Sequence, residues 1–190
     1  LGGHSDKVHA YAGGIDLFFP LEQLLEQTRQ NLDKGFRAIK MKVGRPKLSD
    51  DISRVAAMRK ELGDDFPLMV DANMGWVSAK EAIRHIKQLT RFNLELIEQP
   101  LHYTDVDGLR FVREHVDVPI MADESIWTPT DAIHCVRNNS VDVFNVYVSE
   151  AGGIGPAAEI FSIAEAAHIP CIIGSMPELG IGTAAQAHLA

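Results

Sequence analysis

Three acids punctuate the chain at near-equal intervals. Asp71, Glu98 and Asp123 each directly follow a short apolar run (67–70, 94–97 and 119–122), and the intervals between them are 27 and 25 residues. If folding brings three ionised carboxylates within a few Å, one must take up a proton unless positive charge sits between them. A hard divalent cation supplies that charge and prefers oxygen ligands. Mg2+ fits best, because it takes octahedral oxygen coordination and keeps positions open for water or substrate; Mn2+ accepts the same donors. A single acid at such a place reads equally well as a cap on the next helix or a partner for a surface lysine. The recurrence in three consecutive units is what favours a cation.

A pair of lysines stands one unit earlier. Lys40 and Lys42 flank Met41 in the run 38–43, and strand alternation puts both on one face with Met41 on the other. Two ammonium groups that close should drive at least one pKa down toward neutrality, where a lysine acts as a general base. The bland alternative is a solvated pair on an edge strand. Further polar residues, Asn73, Glu124, Asn145 and Tyr147, end or follow the same set of runs. Glu178 follows a seventh run; it either binds a substrate amine or hydroxyl or serves as an acid at a helix start.

Those residues need a scaffold that gathers successive strand ends. Short apolar runs at 8–13, 38–43, 67–70, 94–97, 119–122, 143–148 and 171–174 read as strands. Amphipathic stretches at 21–32, 49–62, 78–89, 106–115, 129–137 and 154–167 read as helices, with a last helix from Gly182 onward. Ser49 or Asp50 is the expected cap of the second helix and Ser78 that of the third. The pattern is seven βα units, and near-continuous apolar strands imply a parallel sheet covered on both faces. A doubly wound sheet and a (β/α)8 barrel both satisfy that. The first collects its site at one switch point; the second turns every strand's C-terminal end toward one mouth. Five successive polar strand ends favour the barrel, here an incomplete TIM barrel without its eighth strand. No glycine fingerprint of a nucleotide-binding sheet is present, since Gly152-Gly153-Ile154-Gly155-Pro156 lacks the spacing.

Composition narrows the partners. The chain has 190 residues, 46% hydrophobic and 23% charged, which excludes wholesale disorder. Its net charge of −8, with no basic stripe, argues against nucleic acid, and no apolar run is long enough to span a membrane. Cys135 and Cys171 lie far apart in apolar surroundings and read as buried thiols, which points weakly to a reducing, cytoplasmic compartment. The chain opens at Leu1 and ends within a helical pattern, as expected of a segment of a longer protein.

Together the motifs resemble the mandelate racemase/muconate lactonizing enzyme branch of the enolase superfamily. They are Lys40-Met41-Lys42-Val43-Gly44, Val70-Asp71-Ala72-Asn73, Ile97-Glu98-Gln99-Pro100 and Ala122-Asp123-Glu124-Ser125. Gly152-Gly153-Ile154 and Gly174-Ser175-Met176-Pro177-Glu178 resemble its muconate lactonizing side. The resemblance implies a catalytic barrel domain over 1–190, with an N-terminal capping domain and the last strand outside this chain. It implies that Asp71, Glu98 and Asp123 bind Mg2+, that Lys42 is the base, and that Lys40 tunes it and touches the substrate carboxylate. Asn73 and Glu124 are similar to residues that support the metal ligands. The implied chemistry is removal of a proton α to a carboxylate of a small molecule, giving an enediolate. Members are commonly oligomeric, so a homo-oligomer is expected of the full-length protein.

One position departs from the pattern. Where the muconate lactonizing side carries a second lysine, at the end of the sixth strand, this chain has Tyr147. The mandelate racemase type has an Asp there and a His on the seventh strand, but that strand here ends Ile173-Gly174-Ser175. A two-base racemase needs an acid and a base on opposite faces. A tyrosine, with a pKa near 10, donates a proton or hydrogen bond more readily than it accepts one. The expectation is therefore a one-sided site and a dehydratase of a small hydroxy acid. A racemase or epimerase of an amino acid derivative or dipeptide, or a cycloisomerase, ranks second, and a non-catalytic member third. Tyr147 also reads as mere filling of the mouth. None of the eight histidines is expected to act: His85, His115, His134 and His168 lie on or at the ends of helices, and His4, His9, His102 and His188 lack partners at ligand spacing. Trp76 and Trp127 either wall the mouth or pack between loops.

Overall fold

A computed structural model describes residues 7–190, so Leu1 and His4 lie outside the described residues. Seven parallel strands pair in chain order. They are β1 (Ala12–Ile15), β2 (Ile39–Lys42), β3 (Leu68–Asp71), β4 (Ile97–Glu98), β5 (Ile120–Ala122), β6 (Val143–Val146) and β7 (Cys171–Ile173). Helices follow each: α1 (Leu21–Asp33), α2 (Leu48–Leu62), α3 (Ala79–Leu89), α4 (Val106–Arg113), α5 (Pro129–Asn138), α6 (Ile154–Ala166) and α7 (Gly180–Leu189). An unbroken β1-to-β7 order has no switch point, which removes the doubly wound alternative and leaves a curled, incomplete (β/α)8 barrel.

Two apolar clusters explain why the strands curl. On the outer side, Ile39, Met41, Val70, Ile97, Ile120, Phe144 and Val146 pack against Leu24, Met58, Ile86, Leu89, Leu109 and Ile160 of the helices, all buried. On the inner side Met69, Leu96 and Met121 form a separate plug with Tyr11, Ala38, Val143 and Ile172. Taking each large side chain out of water contributes about 1.5–3 kcal/mol. Residues two positions beyond the plug point the same way, which sets Lys40, Asp71, Glu98, Asp123 and Asn145 on the inner side. Met41 is fully buried in the outer cluster, as alternation requires of the residue between two inward lysines.

Several element ends differ from expectation. β1 lies at Ala12–Ile15 rather than 8–13. Its register on β2 is irregular, and Gly14 takes φ +78°, so the strand is displaced by a glycine bulge. β4 shrinks to Ile97–Glu98. Neither Ser49 nor Asp50 caps α2; its N-cap is Lys47, without a side-chain bond, while Asp51 accepts from the backbone N–H groups of Gly44 and Arg45. Ser78 does cap α3, accepting from Glu81 N, and Thr128 with Asp131 forms a capping box on α5. α7 starts at Gly180, two residues before Gly182. Cys135 is buried and Cys171 half-buried, both free thiols. Among the described residues no helix is long and apolar enough to cross a membrane.

Candidate metal centre and proton-transfer site

Alternation and register assemble the site. Lys42 pairs in register with Asp71, and Asp71 with Glu98, so three strands present their last inward residues side by side. Asp71, Glu98 and Asp123 each offer a carboxylate oxygen, these oxygens lie within 4.8 Å of one another, and all three residues are buried. Burial pushes the Asp123 carboxyl up to about 10, and the charges of Glu98, Glu124 and Asp71 add to the effect. A buried trio of hard oxygen donors, with the Asp123 carboxyl raised in this way, fits Mg2+ by its chemistry.

The lysines do not behave as a mutually repelling pair. Lys40 Nζ donates to Glu98 and lies 3.7 Å from Asp71 Oδ2. Lys42 Nζ donates to Asp71 and to Asn73 Oδ1. Burial by itself would lower the Lys40 pKa, but the charge of Glu98, with that of Asp71 adding to it, outweighs burial and raises the pKa above the ordinary lysine value. The expected depression is thus absent at Lys40, whose ammonium donates to the Glu98 carboxylate.

Neighbouring side chains fix these groups. Asn73 sits in the left-handed region at φ +39°; its backbone N–H donates to Asp71 Oδ1 (2.9 Å) and its Nδ2 to Glu124 Oε1 (3.0 Å). Burial raises the Glu124 carboxyl, partly offset by that amide. Asn145, 1% exposed, donates through Nδ2 to Glu98 Oε1 at 2.7 Å, with the Tyr147 hydroxyl at 3.5 Å. Burial, then the Asp123 charge, raises Tyr147 well above a free phenol, so the hydroxyl keeps its proton. Its ring fits only because Gly174 has no side chain: a Cβ there would lie 2.1 Å from Tyr147 Cε2. Glu178 lies apart from the acid trio. It accepts from Ser175 and, at 3.2 Å, from Ser149; although burial opposes it, Ser175, backbone donors and Gln186 hold its carboxyl down at about 2.

Two residues of this site carried no assigned role in the sequence. Gln99, fully buried at φ +36°, accepts through Oε1 from the backbone of Asp123 (2.9 Å) and Ser125 (3.3 Å) and donates to Leu101 O and Ser125 Oγ. Tyr11 lies beside Lys40, whose Nζ is 5.4 Å from its ring centroid. Its position, one strand-face step from Gly13, is the only signal the chain offers. Trp76 is buried edge-to-face against His85 of α3, with centroids 5.5 Å apart, whereas Trp127 is exposed and stacks on Tyr103. No histidine of the described residues joins the acid trio. A cleft of about 380 Å³ between Lys87, Asn93, His115 and Pro119 and one of about 480 Å³ between Ile133 and Ser162 contain none of these residues.

Comparison with known proteins agrees with this geometry. Residues 23–190 match the family described as enolase C-terminal domain-like. The chain is 45% identical to a 3,6-anhydro-alpha-L-galactonate cycloisomerase of Streptomyces coelicolor, over 87% of this chain and 45% of that protein. It is 37% identical to the L-Ala-D/L-Glu epimerase of Bacillus subtilis, over 100% of this chain and 52% of that protein. A crystal structure of an L-talarate dehydratase from a Polaromonas species, complexed with Mg and L-glucarate, superposes with a TM-score of 0.86 at 34% identity, covering 97% of this chain and 51% of that one. The chain therefore spans about half the length of the relatives it matches. On these matches, and with the barrel order and acid trio in place, the chain belongs to the mandelate racemase/muconate lactonizing enzyme family of the enolase superfamily.

Proposed function

We propose that this chain carries the proton-abstraction site of a Mg2+-dependent lyase that removes the α-proton of a small hydroxy acid from one face and expels a β-oxygen. Asp71, Glu98 and Asp123 would hold the ion, supported by Asn73, Glu124 and Asn145. Bound there, Mg2+ supplies positive charge where the substrate carboxylate gathers negative charge. Lys40 holds the substrate carboxylate as an ammonium. Lys42 Nζ, in its uncharged form, accepts the α-proton; the C–H electron pair becomes a C=C bond and the β-C–O bond breaks. The departing oxygen takes a proton from Tyr147, whose phenolate is then reprotonated by solvent; from a 2,3-dihydroxy acid the product is an enol, which tautomerises to a 2-keto acid. Glu178 would bind a substrate hydroxyl at the rim.

The observation that carries this reading is Tyr147. It follows β6, four strands from the Lys42 strand, and it is held protonated rather than poised as a base. A relative named as a cycloisomerase and a solved relative named as a dehydratase lend support. The epimerase relative at 37% identity favours the second reading, inversion at the α-carbon. Incubating the full-length protein and Mg2+ with acid sugars, hydroxyprolines, dipeptides and N-acyl amino acids separates them. A 2-keto product trapped with semicarbazide supports elimination; inversion of the α-carbon with no 2-keto product overturns it.

A further inference from the structure

We propose that Tyr11 is a positioning residue that holds Lys40 in the mouth of the barrel. Tyr11 directly precedes β1 and packs on the inner plug of Met69, Leu96 and Met121. From there its ring lies 5.4 Å from Lys40 Nζ. Gly13, the next inward position on β1, places no side chain between this ring and the mouth.

Lys40 has two other partners close by, Glu98 and Asp71. Both are acids that the proposed reading gives to Mg2+, and the inference rests on that reading at this point. A carboxylate whose charge is shared with a dication holds a neighbouring ammonium less strongly, and the dication repels the same ammonium. Tyr11 belongs to neither acid. A phenol ring with its hydroxyl is attractive to a cation and carries no charge that a metal would claim. It is therefore the contact that survives metal binding and decides where Lys40 sits. This separates the two lysines by their supports: Lys42 leans on Asp71 and Asn73 at the open end, and Lys40 leans on a ring set in the barrel floor.

Proton–carbon NMR of the full-length protein with lysine labelled at Cε tests this. The Lys40 signal is assigned by its loss in Lys40→Met. The ring current of Tyr11 should move the Lys40 ε-methylene signal away from the other lysines, with and without saturating Mg2+, and nuclear Overhauser contacts to the Tyr11 ring should persist in both states. Tyr11→Phe keeps the ring and should retain the displaced shift; Tyr11→Leu should abolish it while the Lys42 signal stays in place. An unchanged Lys40 shift in folded Tyr11→Leu overturns the proposal, as does loss of the Overhauser contacts when wild-type protein is saturated with Mg2+. The Overhauser measurement needs no variant, so a Tyr11→Leu chain that fails to fold leaves the test intact. Calorimetry that detects no Mg2+ binding overturns the metal reading, and with it the claim for the loaded site, while the metal-free spectra still decide whether Tyr11 holds Lys40.

Discussion

Mg2+ binding to this site should expel a proton, and the count follows from one residue. Burial, and then the charges of Glu98, Glu124 and Asp71, raise the Asp123 carboxyl to about 10 from an ordinary 3.8. At pH 7 the metal-free protein thus holds close to one proton there, and a carboxylate must lose it to bind a cation. About one proton per ion should be released, and the apparent Kd should fall about tenfold per pH unit across roughly pH 6–8. Calorimetry in buffers of different ionisation enthalpy reads the count directly. Stability carries the same signature with a fixed sign. A raised carboxyl pKa means that folding takes up a proton, so this contribution is complete below about pH 4 and is lost as pH rises toward 10. Metal-free protein should lose unfolding free energy as pH rises through that window. Saturating Mg2+ should flatten the slope, because Asp123 is then ionised in the folded state. Asp123→Asn should bind Mg2+ more weakly and release no proton. A pH-independent Kd with no proton release would refute the claim that the three acids share one charged site.

Two further perturbations probe the supports. Gly174→Ala puts a Cβ 2.1 Å from the Tyr147 ring, so it should destabilise the fold by about 1–3 kcal/mol in chemical denaturation. Pairing it with Tyr147→Ala should return most of that loss; an additive double variant would show that the ring is not the obstacle. Gln99→Ala removes the acceptor that serves the Asp123 and Ser125 backbone N–H groups inside the fold. It should cost about 1–3 kcal/mol and weaken Mg2+ binding measured by calorimetry, whereas a variant with unaltered Mg2+ affinity would mean that the Asp123 loop holds its shape unaided.

The barrel and the acid trio were legible in the sequence for a simple reason. Apolar runs of parallel strands and a polar residue at each C-terminal end are local patterns, and seven repetitions leave little room for another topology. The inward direction of Lys40 and Lys42 was equally local, since Met41 had to face the helices. What escaped was whatever depended on distances between strands. At least one of Lys40 and Lys42 was expected to be depressed by the other, but the carboxylate partner of Lys40 comes from β4, 58 residues away, and raises it. The role of Gln99 depends on a left-handed backbone that nothing in the chain announces, since the following Pro100 by itself favours an extended residue there. Tyr11 was missed because the glycine bulge moved β1 beyond the run 8–13, and the face of a strand cannot be assigned until its register is known.

Hydrogen–deuterium exchange at a substrate's α-carbon tests the central assignment most directly. In D2O with saturating Mg2+, wild-type protein should exchange the α-proton of a substrate identified by the acid screen. Lys42→Met should lower that exchange by at least about 100-fold while Mg2+ affinity stays near wild type. Exchange that continues at the wild-type rate in Lys42→Met would mean that another group removes the proton, and that the acids and the amine of this mouth do not form one catalytic unit.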